Sequence, residues 1–396
     1  MASETLPPVT VREQVRAHAV RCLEEWTAAP GGTGHPCDPG IPVLAGLVAE
    51  DPRDGDTARA AVAVWARTAG RGPAHPALHD GGLAGTLVGL RLGARLHPAL
   101  DQVADRLAAH LGTRLPEYRT HDVAFPDYDL ISGPAGTLLA LCAGRPRPDA
   151  LRPLAAHLAL LCDENELPRL RAGQYEGHPH LAWTQGRINT GMGHGVAGVV
   201  TALTAAVRRL APDPALTAAL TRAAAWLVRQ AHDDERGIRT WPEAGPDPSP
   251  TPAARPRQAW CYGTPGAAWA LWDAGDALDD PVTADWALAA FRTLADHYDE
   301  DFHLFGGTPA DRLGLCHGAA GVLCVADALY RHAGLPAAGA LAERLVHHLA
   351  ARLPGVPHDA WPADLLGGLP GVLSALLTAT GPAASSRAWL PCLGLR

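Results

Sequence analysis

Two segments of the chain place thiol and imidazole side chains immediately before glycine-rich turns. Cys261 lies in one of them, and the adjacent pair Cys316 and His317 lies in the other. Two thiolates and one imidazole make a tetrahedral zinc set that leaves the fourth position for water or substrate. Thiolate ligands favour zinc over magnesium or calcium. A single cysteine is more often a small buried hydrophobe, but the Cys-His pair together with the second cysteine favours a metal site.

A third histidine occupies the same register as His317. His194 directly precedes Gly195, just as His317 directly precedes Gly318. A histidine there could be a fourth metal ligand, a general acid or base, or a hydrogen-bonded core residue. Its register with His317 favours a role in the site.

Polar residues also precede two of the glycine turns. Asp129 lies four residues before Gly133, and Arg257 and Tyr262 flank the segment that carries Cys261. Aspartate before a helix commonly caps the helix N-terminus. The alternatives for Asp129 are an ion pair with Arg257 across the mouth of a shared cavity and a role in orienting Arg257 or His194.

The segments that carry these cysteine, histidine and other polar residues each precede a copy of a repeated motif, G-x-x-G, which occurs six times. The first glycines of the six copies are Gly82, Gly133, Gly195, Gly263, Gly318 and Gly368. Successive copies lie 50 to 68 residues apart, which is room for two helices and two loops. An apolar helical pattern follows each copy, and an amphipathic pattern with Arg and Asp follows that.

This pattern predicts an all-α protein built as an α/α toroid of six or seven helical hairpins. The apolar helices, which start at the G-x-x-G turns, should form the inner ring, and residues before Gly82 leave room for a seventh hairpin. An open solenoid of the same hairpins is the alternative. Closure is favoured because the three repeats that carry His194, Cys261 and Cys316 are consecutive and would meet at the centre of a ring. We expect a single domain over 1–396, with the proline-rich stretch 236–257 as an exposed loop.

Composition excludes several classes of function. All 33 basic residues are arginine, so lysine-dependent Schiff-base enzymes, P-loop NTPases and protein kinases are excluded. A net charge of -8 without basic runs argues against nucleic-acid binding. The eight cysteines form no C-x-x-C pair, so a disulfide framework is not expected. Gly193–Gly198 matches the dinucleotide fingerprint formally, but no strand pattern precedes it.

The chain is expected to be cytoplasmic. Its N-terminal residues lack the basic start and apolar stretch of a secretory signal. The longest uncharged stretch, 365–386, is interrupted by glycine and proline, so its apolar part is too short to span a bilayer.

The sequence resembles the lanthionine synthetase C-like family, and within it the stand-alone lanthipeptide cyclases of class I systems. The most specific motifs are Trp260-Cys-Tyr-Gly-Thr-Pro-Gly266 and Cys316-His-Gly-Ala-Ala-Gly321, supported by His194-Gly. The resemblance runs through all six repeats, from about Gly82 to Gly371.

The resemblance implies an enzyme that forms lanthionine and methyllanthionine thioether rings in lanthipeptide antibiotics. The thiol of a peptide cysteine adds to a dehydroalanine or dehydrobutyrine of the same peptide. A dehydrated precursor peptide is therefore the implied partner, and a lanthipeptide dehydratase is a further candidate. The resemblance implies one Zn2+ per chain, bound by Cys261, Cys316 and His317, and it places around the metal His194, Asp129, Arg257 and Tyr262.

Other functions remain open from the sequence. Some relatives of this pattern add glutathione to dehydroamino acids in damaged proteins, although the arginine, alanine, glycine and proline bias is typical of a GC-rich bacterial gene. A toroid that binds peptide without catalysis is a second alternative. A toroidal glycosidase would need paired carboxylates at the inner helix starts, and only Asp129 and Asp364 approach that arrangement.

Overall fold

A computed structural model describes residues 10–30, 34–143, 147–245, 256–355, 357 and 361–396. Sixteen α-helices lie in this part of the chain. They are α1 (Val11–Ala28), α2 (Gly40–Val48), α3 (Gly55–Ala69), α4 (Leu83–Gly93), α5 (Ala99–Thr113), α6 (Pro134–Leu141), α7 (Pro148–Leu161), α8 (Val196–Arg209), α9 (Pro214–Arg229), α10 (Thr264–Ala277), α11 (Pro281–His297), α12 (Glu300–His303), α13 (Pro309–Leu313), α14 (Ala319–Ala333), α15 (Pro336–Arg352) and α16 (Leu369–Ala379).

The helices form two concentric rings. The inner ring contains α2, α4, α6, α8, α10, α14 and α16, and each packs against the next. Helix α16 also packs against α2, which closes the ring. The outer ring contains α3, α5, α7, α9, α11 and α15, each packed on the inner helix that precedes it, and α1 packs on α16. The predicted α/α toroid is confirmed. Its described helices form seven inner–outer pairs, of which six are hairpins of consecutive helices and the seventh is the pair of α16 and α1.

The two rings differ in burial because they differ in sequence. Helix α16 is buried at every position from Leu369 to Thr378, whereas the outer helix α3 buries little more than the stripe that carries Ala58, Val62 and Trp65. A helix that is apolar on all sides is stable only with neighbouring helices on every side, whereas a helix with a single apolar stripe needs a neighbour on one side only. Among the described residues, no helix combines the length and the apolar character needed to cross a membrane.

The inner helix α2 starts without a G-x-x-G turn, contrary to the prediction for inner helices. A buried carboxylate takes the place of the turn. The Oδ1 atom of Asp38 accepts hydrogen bonds from the backbone N–H groups of Gly40, at 2.8 Å, and Leu365, at 2.7 Å. Asp38 therefore binds the first N–H group of α2 and at the same time joins the loop before α16 to the loop before α2.

Four strands of two residues each complete the described structure. They are β1 (Ile188–Asn189), β2 (His232–Asp233), β3 (Arg239–Thr240) and β4 (Ala244–Gly245), and β1 pairs antiparallel with β4 and β2 with β3.

Strands β3 and β4 lie within the stretch 236–257, which was predicted to be an exposed loop. Its residues 246–255 lie outside the described residues. In the described first half the prediction is wrong, because Ile238, Thr240 and Trp241 are buried. The Trp241 indole N–H donates to the Leu227 carbonyl at 2.7 Å, which holds this half against the end of α9.

Candidate metal centre

The loops that precede the inner helices are linked to one another around the ring by hydrogen bonds. Each bond runs from a backbone N–H of one loop to an oxygen atom of the next. The pairs are His79 to Ile131, Leu130 to Gly193, Met192 to Cys261, Cys261 to Cys316, Cys316 to Leu366, and Leu365 to the Asp38 side chain. This belt sets equivalent positions of neighbouring repeats side by side, as the repeat pattern predicted.

The second glycine of the motif lets each loop lie directly on its helix. A Cβ at Gly266 would overlap the carbonyl oxygen of Trp260, and one at Gly321 would overlap that of Leu315. Any larger residue would push the loop away from the helix. The glycines therefore fix how closely the segments that carry Cys261 and Cys316 approach the inner helices that follow them.

The belt brings Cys261, Cys316 and His317 together. Their ligand atoms lie within 4.8 Å of one another, and they are the one such group of three found in the described ranges. Zinc bonds of about 2.3 Å to sulfur place two tetrahedral ligands about 3.8 Å apart, so the set fits zinc after small side-chain movements. A carboxylate stands behind the imidazole, with Asp311 Oδ1 4.0 Å from His317 Nδ1, as is common for metal-binding histidines.

The two thiols differ in acidity. Burial raises the pKa of Cys261, and its hydrogen bond with Cys316 raises it further. The same hydrogen bond, together with the neighbouring His317, lowers the pKa of Cys316 well below its usual range. Cys316 is half-buried, and a thiolate beside an imidazole is the state in which such residues bind a metal.

His194 and Asp129 form a pair beside this group. The His194 Nδ1–H donates to Asp129 Oδ2 at 2.5 Å, and Asp129 is fully buried. Its other oxygen accepts from the backbone N–H groups of Ser132 and Gly133, each at 2.8 Å. Burial opposes protonation of His194, but the hydrogen bond and charge of Asp129 outweigh it and raise the pKa of His194.

This geometry resolves the alternatives for Asp129. The carboxylate does cap the turn before α6, and it also orients an imidazole at the centre. The predicted ion pair between Asp129 and Arg257 is wrong, because the carboxylate pairs with His194. Arg257 instead donates from Nη1 to the His317 carbonyl at 3.3 Å and lies 4.2 Å from the centre of the Phe305 ring.

Tyr262 lies between the loops of two repeats. Its hydroxyl accepts a hydrogen bond from Asn189 Nδ2 at 2.9 Å. Burial raises the pKa of Tyr262 above its usual range, so the phenol stays neutral at physiological pH.

Sequence reasoning did not identify two aromatic residues that hold His194. The Phe125 ring stacks on the imidazole with 4.5 Å between ring centres, and the Tyr128 hydroxyl donates to the His194 carbonyl at 2.9 Å. Neither residue belongs to a motif or lies at a glycine turn. Asn189 lies in the segment before Gly195, but the sequence did not identify it as a partner of Tyr262. Asp311, which lies outside the motifs, was not identified as a neighbour of His317.

Comparisons with known proteins agree with the repeat motifs. The family model for lanthionine synthetase C-like protein matches residues 81–352. Among solved structures, nisin cyclase is similar with a TM-score of 0.76 and 19% sequence identity, covering 96% of this chain and 98% of that chain. No protein in the curated set matches the sequence. At that identity the structural likeness shows the shared fold, while the family model covers most of the chain and five of its six glycine turns. The chain therefore belongs to the lanthionine synthetase C-like family.

Proposed function

We propose that this protein is a zinc-dependent lanthipeptide cyclase. The observation that carries the proposal is the convergence of Cys261, Cys316 and His317 beside the Asp129–His194 pair. A thiol-activating metal set and an imidazole that can deliver a proton are the two groups that thioether formation requires. Membership of the family and the structural likeness to nisin cyclase support the same reaction class.

The reaction adds S–H across a carbon–carbon double bond. A free cysteine thiol has a pKa of about 8.5, and zinc bound by the three ligands would hold the substrate sulfur as thiolate near neutral pH. The sulfur forms a bond to the β-carbon of the dehydro residue, and the π electrons move to the α-carbon and its carbonyl. A proton delivered to the α-carbon completes the thioether.

His194 is the residue that we assign to this proton transfer. Its raised pKa keeps a larger fraction of the imidazole protonated near neutral pH, which suits a general acid. Asp129 orients the ring through Nδ1 and leaves Nε2 free to face the substrate. Phe125, stacked on the ring, limits rotation of the imidazole.

Negative charge that develops on the substrate carbonyl needs donors. Arg257 is the cation that we assign to this role, and it is tethered to the backbone of the metal ligand His317. The N-termini of the inner helices add partial positive charge at the same end of the ring. Tyr262 neighbours the ligand Cys261, and we assign it a supporting role through its hydrogen bond to Asn189.

The proposal extends to partners and setting. The substrate is a dehydrated precursor peptide, and a lanthipeptide dehydratase that supplies it is a candidate partner. We propose one zinc ion per chain, a single domain over 1–396 and a cytoplasmic location.

Cyclisation leaves the peptide mass unchanged, so the test counts thiols. A dehydrated peptide with free cysteines is incubated with the enzyme and then alkylated with N-ethylmaleimide, and adducts are counted by mass spectrometry. With the parent enzyme, the number of free peptide thiols should fall while the mass of the unalkylated peptide stays the same. With His194→Asn, this fall should be about 10² to 10⁴ times slower. Addition of competing glutathione to the peptide would favour the glutathione-transfer alternative. Peptide binding with no loss of thiols would contradict catalysis.

A further inference from the structure

The last described residues form a buried strap inside the toroid, which we define as residues 389–396. Leu390, Cys392, Leu393 and Leu395 are each buried. The 3-10 turn Leu390–Leu393 packs on the inner helix α6. The buried backbone polar groups of this segment need hydrogen-bond partners within the protein.

Side chains of the surrounding repeats satisfy the strap carbonyls. Four ring N–H groups each donate to one strap carbonyl. They are His79 Nε2 to Cys392 at 2.7 Å, Trp260 Nε1 to Leu393 at 2.8 Å, Trp269 Nε1 to Gly394 at 2.8 Å, and His332 Nε2 to Arg396 at 2.8 Å. Burial lowers the pKa of His79 to about 4, so this histidine is a neutral donor.

One of these donors is joined covalently to the proposed metal set. Trp260 precedes Cys261 and is fully buried. Its ring lies edge-on to His79, with 6.3 Å between ring centres. Its Cβ packs on Gly321, in the helix that follows Cys316 and His317. Trp260 is therefore held between the strap and the two segments that carry the metal ligands.

An ion-pair anchor holds the far end of the strap on α10, the helix that follows Cys261. The Arg396 guanidinium lies 2.8 Å from Asp273 and 2.7 Å from Asp276, and it stacks 5.0 Å from the Trp272 ring centre. The strap thus has one fixed end on α10 and a hydrogen bond to the residue before a ligand.

We propose that the strap 389–396 positions the metal ligand Cys261 through Trp260. This inference rests on the metal site of the proposed function. Residues behind metal ligands set ligand orientation, and their loss commonly weakens metal binding by about 10- to 100-fold. Trp260 is a positioning residue here, since its indole contacts the strap and not the metal.

Two matched substitutions test the proposal in the full-length zinc-loaded protein. Trp260→Phe and Trp269→Phe each remove one buried indole N–H that donates to a strap carbonyl at 2.8 Å. The measurements are the rate of zinc release to a chromophoric chelator and the Tm. We expect similar losses of Tm, with zinc release about 10- to 100-fold faster in Trp260→Phe and close to parent in Trp269→Phe. Equal release rates in the two variants would overturn the inference.

A third substitution moves the strap itself. Gly394 has a φ of +68°, and a Cβ there would lie 2.5 Å from Thr201 Cγ2, so Gly394→Ala should displace the strap. We expect faster zinc release, a changed visible spectrum in the cobalt-substituted protein, and no further effect when Gly394→Ala is combined with Trp260→Phe. Additive effects would show independent actions and would contradict the strap mechanism. A parent protein that binds no zinc would refute the proposed function, whereas a zinc-binding parent with unaffected variants would refute only this inference.

Discussion

At the scale of single residues, the candidate site consists of two units that meet at one end of the ring. The first is the group of Cys261, Cys316 and His317, and the second is the pair of Asp129 and His194. The sequence singled out these five residues as candidates, although it missed the residues that contact them, such as Phe125 and Tyr128. It left open whether Asp129 orients Arg257 or His194, because that choice depends on how two loops 65 positions apart face each other.

The pair predicts a pH effect. Asp129 raises the pKa of His194, so Asp129→Asn should lower that pKa. If protonated His194 delivers the proton, the rate falls as pH rises through its pKa, and in Asp129→Asn this fall moves to lower pH. The measurement is the kcat/KM of cyclisation against pH, with zinc content as the control. An unchanged profile in a variant that keeps its zinc would contradict the role given to His194.

At the scale of the elements, close contact between loop and helix places the ligands. Each inner helix that follows a G-x-x-G turn begins with its loop lying on the helix surface. The glycine spacing was therefore a reliable guide to where the inner helices start. Helix α2 is the exception, because no G-x-x-G turn precedes it. Side-chain hydrogen bonds of Asp38 hold the start of this helix instead.

A pair of glycine substitutions tests this packing. Gly321→Ala should destabilise the fold by about 1–3 kcal/mol, since the added Cβ overlaps the Leu315 carbonyl. Gly46→Ala, also within an inner helix, meets no atom within 4 Å and should stabilise by up to about 1 kcal/mol. Urea unfolding measures both. Equal effects would show that helix propensity, and not close approach of the loop, explains the glycines.

The outer partners of the helices were less predictable than the inner helices. Six outer helices follow their inner partners along the chain, which the alternation of apolar and amphipathic segments predicted. The seventh, α1, packs on α16 from the opposite end of the sequence. A local pattern contains no information on such a pairing, so the number of hairpins stayed open between six and seven.

At the scale of the whole molecule, ring closure depends on the junction between the last and first repeats. Asp38 bridges the two through the backbone N–H groups of Gly40 and Leu365. Burial, with a further contribution from Asp364, raises the pKa of Asp38 well above its usual range. Folding therefore disfavours the charged form of Asp38, while the two hydrogen bonds to its Oδ1 atom stabilise the junction.

Substitutions at Asp38 separate these effects. Asp38→Asn keeps an acceptor oxygen and should fold, whereas Asp38→Ala leaves two buried N–H groups without a partner and should cost about 2–5 kcal/mol. Because the folded-state pKa of Asp38 is raised, the parent loses stability as pH rises above about 4. The stability of the Asn variant relative to the parent should therefore increase as pH rises above about 4. A Tm series that shows no such gain would contradict a destabilising charge at the junction.

We propose that Cys261, Cys316 and His317 hold one zinc ion, and that the protein needs this ion to act as a cyclase. Zinc per chain, measured by mass spectrometry of the metal after reducing, chelator-free purification, tests it most directly. Cys324→Ala is the matched control for Cys316→Ala, since both are cysteines of the same repeat and Cys324 lies outside the metal group. We predict about one zinc in the parent and in Cys324→Ala, and little in Cys316→Ala. A parent without zinc, or equal zinc in both variants, would contradict the account.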